Sequence, residues 1–144
     1  MAFTAKDVVA LREKTGVGMM DCKKALVETD GDIDKAIEVL REKGLASAAK
    51  KASRVAAEGV IASYNDGKSG ALVEINSETD FVAKGEPFVN LANAVAKTVV
   101  TANPADVDAL LATKVADGDN TVEEAVQEVF LALRENMKVR RFAR

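Results

Sequence analysis

The sequence has 144 residues and a formal net charge of −3, and 48% of the residues are apolar, 30% charged and only 4% aromatic. A chain of this length can bury a core of its own, either as one ordinary domain or as two small ones. Because it contains no histidine and only one cysteine, a Ser/His/Asp triad, a Cys/His dyad, histidine-ligated zinc and an internal disulfide are excluded. We expect neither a signal peptide nor a membrane-spanning segment, and therefore a cytoplasmic protein.

Helical periodicity dominates the start of the chain. Alanine accounts for 25 of the 144 residues, and the aromatic residues are too few for an all-β core. The apolar spacing predicts a first helix that Gly16 ends, a second over residues 19–29, and a third that begins after Asp32 and ends at Gly44. Residues 1–45 are therefore predicted to form a three-helix domain.

The pattern changes in the second part of the sequence. Residues 46–58 are rich in alanine and lysine and predict a helical connector. Beyond them, alternating apolar residues on either side of a turn at residues 65–67 predict a β-hairpin, and residues 137–143 predict a third strand of the same antiparallel sheet. With helices between these strands, residues 59–144 are predicted to form a small α+β core, and the fold class is mainly α with α+β.

The loop between the first two helices contains two glycines, Gly16 and Gly18. A phosphate-binding loop is one interpretation, but the segment follows a helix and lacks the remaining glycine and lysine positions of such motifs, so an interhelical turn is favoured. The turn places Met19 and Met20 next to each other at a helix start, about 100° apart around the axis. Either one methionine faces solvent, as flexible thioethers do at binding surfaces, or both are partly buried.

Cys22 and a basic patch each have a structural and a functional interpretation. Cys22 is favoured as a small core residue rather than as a nucleophile, because no histidine is present to activate it. The patch of Lys50, Lys51 and Arg54 is favoured as a solvated helix face, with a docking surface for an acidic partner as the alternative. The basic residues at 135–144 are favoured as a strand edge beside acidic neighbours over a nucleic-acid-binding arm.

A corner over residues 78–84 follows the second predicted strand directly. Thr79 or Asp80 is expected to cap the next helical turn. Phe81 stands between charged residues rather than in a periodic apolar face. It is either packed into the core or, with Asp80 beside it, an aromatic anchor that inserts into another protein.

Two segments resemble the signature motifs of one protein family. Residues 15–26 read TGVGMMDCKKAL and residues 74–84 read EINSETDFVAK. Both are similar to signatures of translation elongation factor Ts, in the same order and at a similar separation. The AKKA at residues 49–52 and the VRR at residues 139–141 also resemble this family, so the resemblance covers the whole chain.

The resemblance implies a guanine-nucleotide exchange factor for elongation factor Tu that acts by binding, without catalytic residues, cofactor or metal. In the family, the three-helix domain resembles a ubiquitin-associated domain and docks on the partner's nucleotide-binding domain. The Thr-Asp-Phe-Val corner enters the same partner domain near its magnesium site. The partner-binding residues implied here are Arg12, Met19, Met20, Lys51, Thr79, Asp80, Phe81 and Val82.

The expected partner is elongation factor Tu, both GDP-bound and nucleotide-free, with no direct contact to nucleic acid or membrane and with the oligomeric state left open. Most members of the family continue past the Val-Arg-Arg strand into a second core half, whereas this sequence stops at Arg144. The sequence is therefore either a fragment or an unusually short member of the family, and in both cases we expect weaker binding and exchange, because part of the expected interface is missing. The alternative is a ubiquitin-associated-like interaction module that binds a partner without efficient exchange.

Overall fold

The computed structural model describes residues 2–144, over which seven helices and a three-stranded antiparallel sheet are formed. Met1, which belongs to the predicted first domain, lies outside the described residues. The elements are α1 (Ala5–Thr15), α2 (Met19–Glu28), α3 (Ile33–Lys51), β1 (Glu58–Asn65), β2 (Gly70–Ser77), α4 (Asp80–Lys84), α5 (Glu86–Ala102), α6 (Val107–Leu111), α7 (Val122–Leu133) and β3 (Lys138–Ala143). The predicted class, mainly α with α+β, is confirmed.

The first three helices pack on one another around a small apolar core. The Asp7 carboxylate accepts a hydrogen bond from the Thr4 backbone N–H at 2.7 Å at the start of α1. The Asp32 carboxylate accepts one from the Lys35 N–H at 3.1 Å at the start of α3, so both helices begin where these side chains satisfy free N–H groups. The core residues that these helices and their loop contribute are Val8, Leu11, Val17, Cys22, Ala25, Leu26, Ala36 and Leu40.

The third helix is longer than predicted. α3 runs unbroken through Gly44 to Lys51, so the predicted helix end at Gly44 is wrong. Residues 46–51 of the predicted connector continue α3, and residues 52–57 are not helical. Gly44 is buried, and a Cβ atom at this position would collide with the Leu131 side chain of α7. Glycine is therefore explained here by the close approach of two helices and not by a helix end.

The sheet belongs to the second part of the chain, and β2 lies between β1 and β3 and is antiparallel to both. β1 and β2 form the predicted hairpin, in which Asn65 pairs with Gly70. α5 lies against the hairpin and buries the apolar face that its sequence predicts, because residues three and four apart share one side of a helix. The largest fully buried residues of this core are Phe88, Ile75, Leu110, Val73, Val95, Val99 and Val122.

α7 joins the two apolar cores. Phe130 packs into the core beneath the sheet, whereas its neighbour Leu131 packs into the core of the three-helix bundle. In the sequence, the apolar residues of α7 at helical spacing are those at 122, 125, 126, 129, 130 and 133, a face that includes Phe130 and not Leu131. The division into domains at residues 45 and 58 stays a prediction, and Leu131 shows that side chains of the second part complete the core of the first.

The basic end of the chain is tied to its neighbours. Arg140 and Arg141 of β3 form ion pairs with Glu74 of β2 at 3.5 and 3.1 Å, which confirms the strand-edge interpretation. The Arg144 guanidinium donates to the Val100 carbonyl at the end of α5. None of the helices within residues 2–144 is long and apolar enough to cross a membrane.

Candidate functional site

The corner after β2 is stabilised by hydrogen bonds that involve Thr79. Thr79 precedes α4 in an extended conformation, and its Oγ1 accepts from the Val82 N–H at 3.4 Å. The Ser77 hydroxyl donates to the Thr79 carbonyl at 3.0 Å. Thr79 is therefore the capping residue of the two that the sequence proposed, and it fixes where α4 begins.

Phe81 projects into solvent from the first turn of α4. Its side chain is 85% exposed, whereas Val82 packs against the core and Ala83 is buried. The core-packed interpretation of Phe81 is therefore wrong. Asp80 is exposed beside it and pairs with Lys84 at 3.1 Å, a surface pair that adds little stability. A large aromatic side chain presented on a fixed corner is typical of an interface anchor.

A second exposed apolar surface lies at the start of α2. Met20 is 65% exposed and faces solvent, and Met19 is 41% exposed and partly covered. Arg12 is exposed in the last turn of α1. Between these helices, Gly16 ends α1 with a φ of 69° and Val17 is fully buried. The Gly-Val-Gly segment is therefore an interhelical turn that is anchored in the bundle core.

Cys22 lies on the inner side of α2. Its side chain is fully buried, and its Sγ donates a weak hydrogen bond to the Val17 carbonyl at 3.5 Å. Burial raises the pKa of the Cys22 thiol, and the neighbouring Asp21 carboxylate raises it further. The thiol is protonated and inaccessible, which confirms the core interpretation and excludes a nucleophilic role.

Lys51 is turned into the molecule. Its Nζ donates to the Arg134 carbonyl at 2.6 Å and lies 5.7 Å from the centroid of the Phe130 ring. Arg134 is the C-cap of α7, so the Lys51 ammonium satisfies a carbonyl at the negative end of that helix. In this structure Lys51 therefore connects α3 to α7.

The predicted basic patch is not one helix face. α3 ends at Lys51, so Arg54 does not follow Lys50 around a common helix. The Arg54 guanidinium pairs instead with Glu78 at 3.7 Å, and Lys50 is exposed. The expectation of a continuous solvated face over these residues is corrected, because two of the three cations contact other parts of the chain.

The turn at residues 134–136, between α7 and β3, contacts both exposed surfaces and was not predicted as functional. The Glu135 carboxylate accepts from the Thr79 backbone N–H at 3.0 Å and from the Thr79 hydroxyl at 2.8 Å. On the other side, the Arg134 guanidinium lies 3.8 Å from the Asp21 carboxylate, one residue after Met20. This turn brings the α4 corner and the start of α2 to the same region of the molecule.

Asn136 holds this turn in place. Its buried side-chain amide donates to the Arg54 carbonyl at 2.8 Å and to the Ala52 carbonyl at 3.4 Å. Its backbone N–H donates to the Glu78 carboxylate at 2.8 Å. The sequence signal was faint: three polar residues between an amphipathic helix and a strand are typical of any loop, and their partners lie more than 50 residues away.

The buried polar groups of the described residues are accounted for by the fold. Over residues 2–144, no group of three or more His, Cys, Asp or Glu side chains could hold a metal ion. In the same part of the chain, every buried side-chain nitrogen and oxygen has a hydrogen-bond partner. The aromatic corner and the methionine pair are among the large apolar side chains that folding leaves exposed.

Comparison with known proteins identifies the relatives of the chain. The family model described as Elongation factor TS matches residues 78–144. Elongation factor Ts of Clostridium perfringens is 60% identical over 144 residues, which cover 99% of this chain and 47% of that protein. The corresponding proteins of Clostridium botulinum and Syntrophotalea carbinolica are 56% and 52% identical over 144 and 142 residues, with the same coverage.

The chain thus spans about half the length of the curated relatives that it matches, and almost every residue of it takes part in the match. The matched family region contains the corner with Phe81, the turn at residues 134–136 and β3. Identity above 50% over the whole of this chain is far beyond chance similarity. Over nearly its whole length the chain is similar to curated elongation factor Ts proteins, and its second part matches the model of that family.

Proposed function

We propose that the chain binds elongation factor Tu, in both its GDP-bound and its nucleotide-free state, and accelerates the release of GDP. The observation that carries the proposal is the exposed Phe81 on the α4 corner, in a chain similar to curated elongation factor Ts proteins. Phe81 enters the nucleotide-binding domain of the partner near its magnesium site and disturbs the contacts to magnesium and phosphate. Such a function belongs in the cytoplasm and needs no covalent chemistry.

The physical basis is linkage between two ligands of one protein. A factor that binds the nucleotide-free partner more tightly than the GDP-bound partner must weaken GDP binding by the same factor. The factor can shift the partner only as far as its affinities for the two states differ. A protein without a general acid, base or nucleophile can therefore promote exchange, provided that its contacts are strongest when the nucleotide is absent.

In this proposal, two surfaces of the chain contact elongation factor Tu. Phe81 and Asp80 form the part that enters the partner, and Thr79 and Val82 set the direction of the corner. The second surface is formed by the exposed side chains of Arg12, Met19 and Met20 on the bundle. Lys51 supports the contact from inside the chain through its hydrogen bond to Arg134, and reaches the partner only if that bond opens.

A release assay tests the proposal. Elongation factor Tu loaded with fluorescent GDP is mixed with excess unlabelled GDP and increasing amounts of the chain. We expect the rate of GDP release to rise with the concentration of the chain and to approach a plateau. An unchanged rate at the highest concentration would contradict exchange activity.

Binding without exchange is the second candidate, and the exposed Met19 and Met20 favour it. A ubiquitin-associated-like bundle that binds alone would lose affinity in the double variant Met19→Ala/Met20→Ala and keep it in Phe81→Ala. The exchange mechanism predicts a different result: the plateau rate of GDP release should fall more in Phe81→Ala than in the double methionine variant. Point variants suit this comparison because Leu131 completes the bundle core, so a bundle cut from the chain would lose part of that core.

A further inference from the structure

We propose that Glu135 is a positioning residue, which fixes the α4 corner so that Phe81 is presented in the orientation the partner requires. The inference rests on the proposed function and adds a residue outside the surface that the family motif suggests. Glu135 acts through Thr79 and does not itself contact the partner.

Glu135 holds the corner through two hydrogen bonds to one residue. One carboxylate oxygen accepts from the Thr79 N–H at 3.0 Å and the other from the Thr79 hydroxyl at 2.8 Å. Hydrogen bonds to an ionised acceptor are shorter and stronger than those between neutral groups. Because Thr79 immediately precedes α4, the carboxylate fixes both the position and the orientation of the residue from which the helix starts.

The bond from Thr79 to Glu135 also aligns the helix cap. The Thr79 hydroxyl donates its proton to Glu135, so its lone pairs are free to accept from the Val82 N–H at 3.4 Å. α4 has only five residues, too few to be stable without such support. Without Glu135, the hydroxyl can rotate and the first turn, which carries Phe81, loses its fixed start.

The turn that carries Glu135 is itself held by hydrogen bonds on both sides of this residue. Lys51 holds the Arg134 carbonyl on one side of Glu135 at 2.6 Å. On the other side, Asn136 is bound to Arg54 and Glu78, both at 2.8 Å. Glu135 therefore transmits the position of the α7 end to the corner, which is a property that an unsupported loop residue would lack.

Glu135 is also not explained by stability alone. The Ser77 hydroxyl already holds the Thr79 carbonyl, and Ala83 anchors α4 in the core, so the corner keeps its place in the fold when Glu135 is removed. The variant loses the fixed orientation of the first turn of α4, which carries Phe81. An interface anchor loses affinity when its geometry becomes loose, because ordering it again on binding costs free energy.

The first test concerns the chain alone and is independent of any partner. In Glu135→Ala, we expect hydrogen exchange of the Thr79 and Val82 amides to become faster, while exchange of the Ala36 amide in α3 is unchanged. Equal exchange at Thr79 in variant and wild type would overturn the proposal. A matched control is Glu128→Ala, which removes a glutamate of α7 that has a side-chain hydrogen bond to Asn120, and should leave the Thr79 amide unaffected.

The second test measures binding to nucleotide-free elongation factor Tu and the plateau rate of GDP release. Glu135→Ala should weaken binding about tenfold, the scale of one hydrogen bond to a charged group. Glu135→Gln keeps an oxygen for the Thr79 N–H and should recover part of this loss. If Glu135→Ala binds as tightly as the wild type, the positioning role is overturned.

A double variant separates positioning from general destabilisation. If Glu135 acts only through the corner, adding Glu135→Ala to Phe81→Ala should weaken binding by about twofold or less, because the anchor is already absent. A full tenfold loss in that background would overturn the proposal. A wild-type chain that neither binds nor accelerates release would overturn the proposed function and the positioning role together, whereas an active wild type with an equally active Glu135→Ala overturns the positioning role alone.

Discussion

Two phenylalanines seven residues apart have opposite environments in this chain. Phe88, in the first turn of α5, is fully buried beneath the sheet, whereas Phe81 is 85% exposed. Burying an aromatic ring stabilises a fold by several kilocalories per mole, and exposing one gives no such gain. Phe81 has no folding role that accounts for its size, which is the residue-scale argument for an intermolecular one.

Replacing each of the two rings separates stability from binding. Phe88→Ala should lower the free energy of unfolding by about 3–5 kcal/mol, which is measurable by chemical denaturation. Phe81→Ala should leave the free energy of unfolding unchanged and weaken the complex with elongation factor Tu by on the order of 2 kcal/mol or more, as expected for an anchor. If Phe81→Ala binds as the wild type does while remaining folded, the anchor role is contradicted.

At the scale of elements, the sequence predicts what is encoded locally. The hairpin with its turn, the Asp32 cap and the apolar face of α5 are predicted because residue type and spacing determine them. The extension of α3 through Gly44 was missed, since glycine is a strong stop signal and only packing against Leu131 accounts for it here. The corner motif and the methionine pair were found in the sequence, whereas the contact of Glu135 with Thr79 spans 56 positions and has no local signal.

The start of α3 gives the chain a measurable response to acid. The hydrogen bond from the Lys35 backbone N–H holds the pKa of Asp32 below its ordinary value of 3.8, and the Lys35 charge adds to this effect. A carboxylate whose pKa is lowered by folding stabilises the folded state above its unfolded pKa. That contribution is lost as the pH falls through the lower, folded pKa.

Asp32→Asn tests the acid response of this cap. Asparagine caps a helix about as well as aspartate, so the melting temperature at neutral pH should change little. Below a pH of about 4 the variant should lose less stability than the wild type, because its cap does not titrate. Asp34→Asn in the same helical turn leaves the cap intact and should follow the wild-type acid profile; an identical profile for Asp32→Asn would contradict the assignment.

At the scale of the whole molecule, α7 connects the bundle to the sheet, because it packs into the cores of both. It contributes Phe130 to the larger core and Leu131 to the bundle core, and its end carries the turn at residues 134–136. The two exposed surfaces are therefore fixed relative to each other by one helix. Under the proposed function, this arrangement allows contacts at both surfaces to act together on elongation factor Tu.

A substitution at Leu131 tests whether α7 connects the bundle to the rest of the molecule. Leu131→Ala should leave a cavity opposite Gly44 and lower the free energy of unfolding by about 2–5 kcal/mol. Because the bundle loses a core residue from α7, amide exchange in α2 should accelerate more than amide exchange in α5. Leu110→Ala makes the same truncation in the larger core alone and should accelerate exchange in α5 at least as much as in α2. Equal acceleration of amide exchange in both helices of Leu131→Ala would contradict this expectation. It would mean that the bundle and the sheet unfold together as one unit.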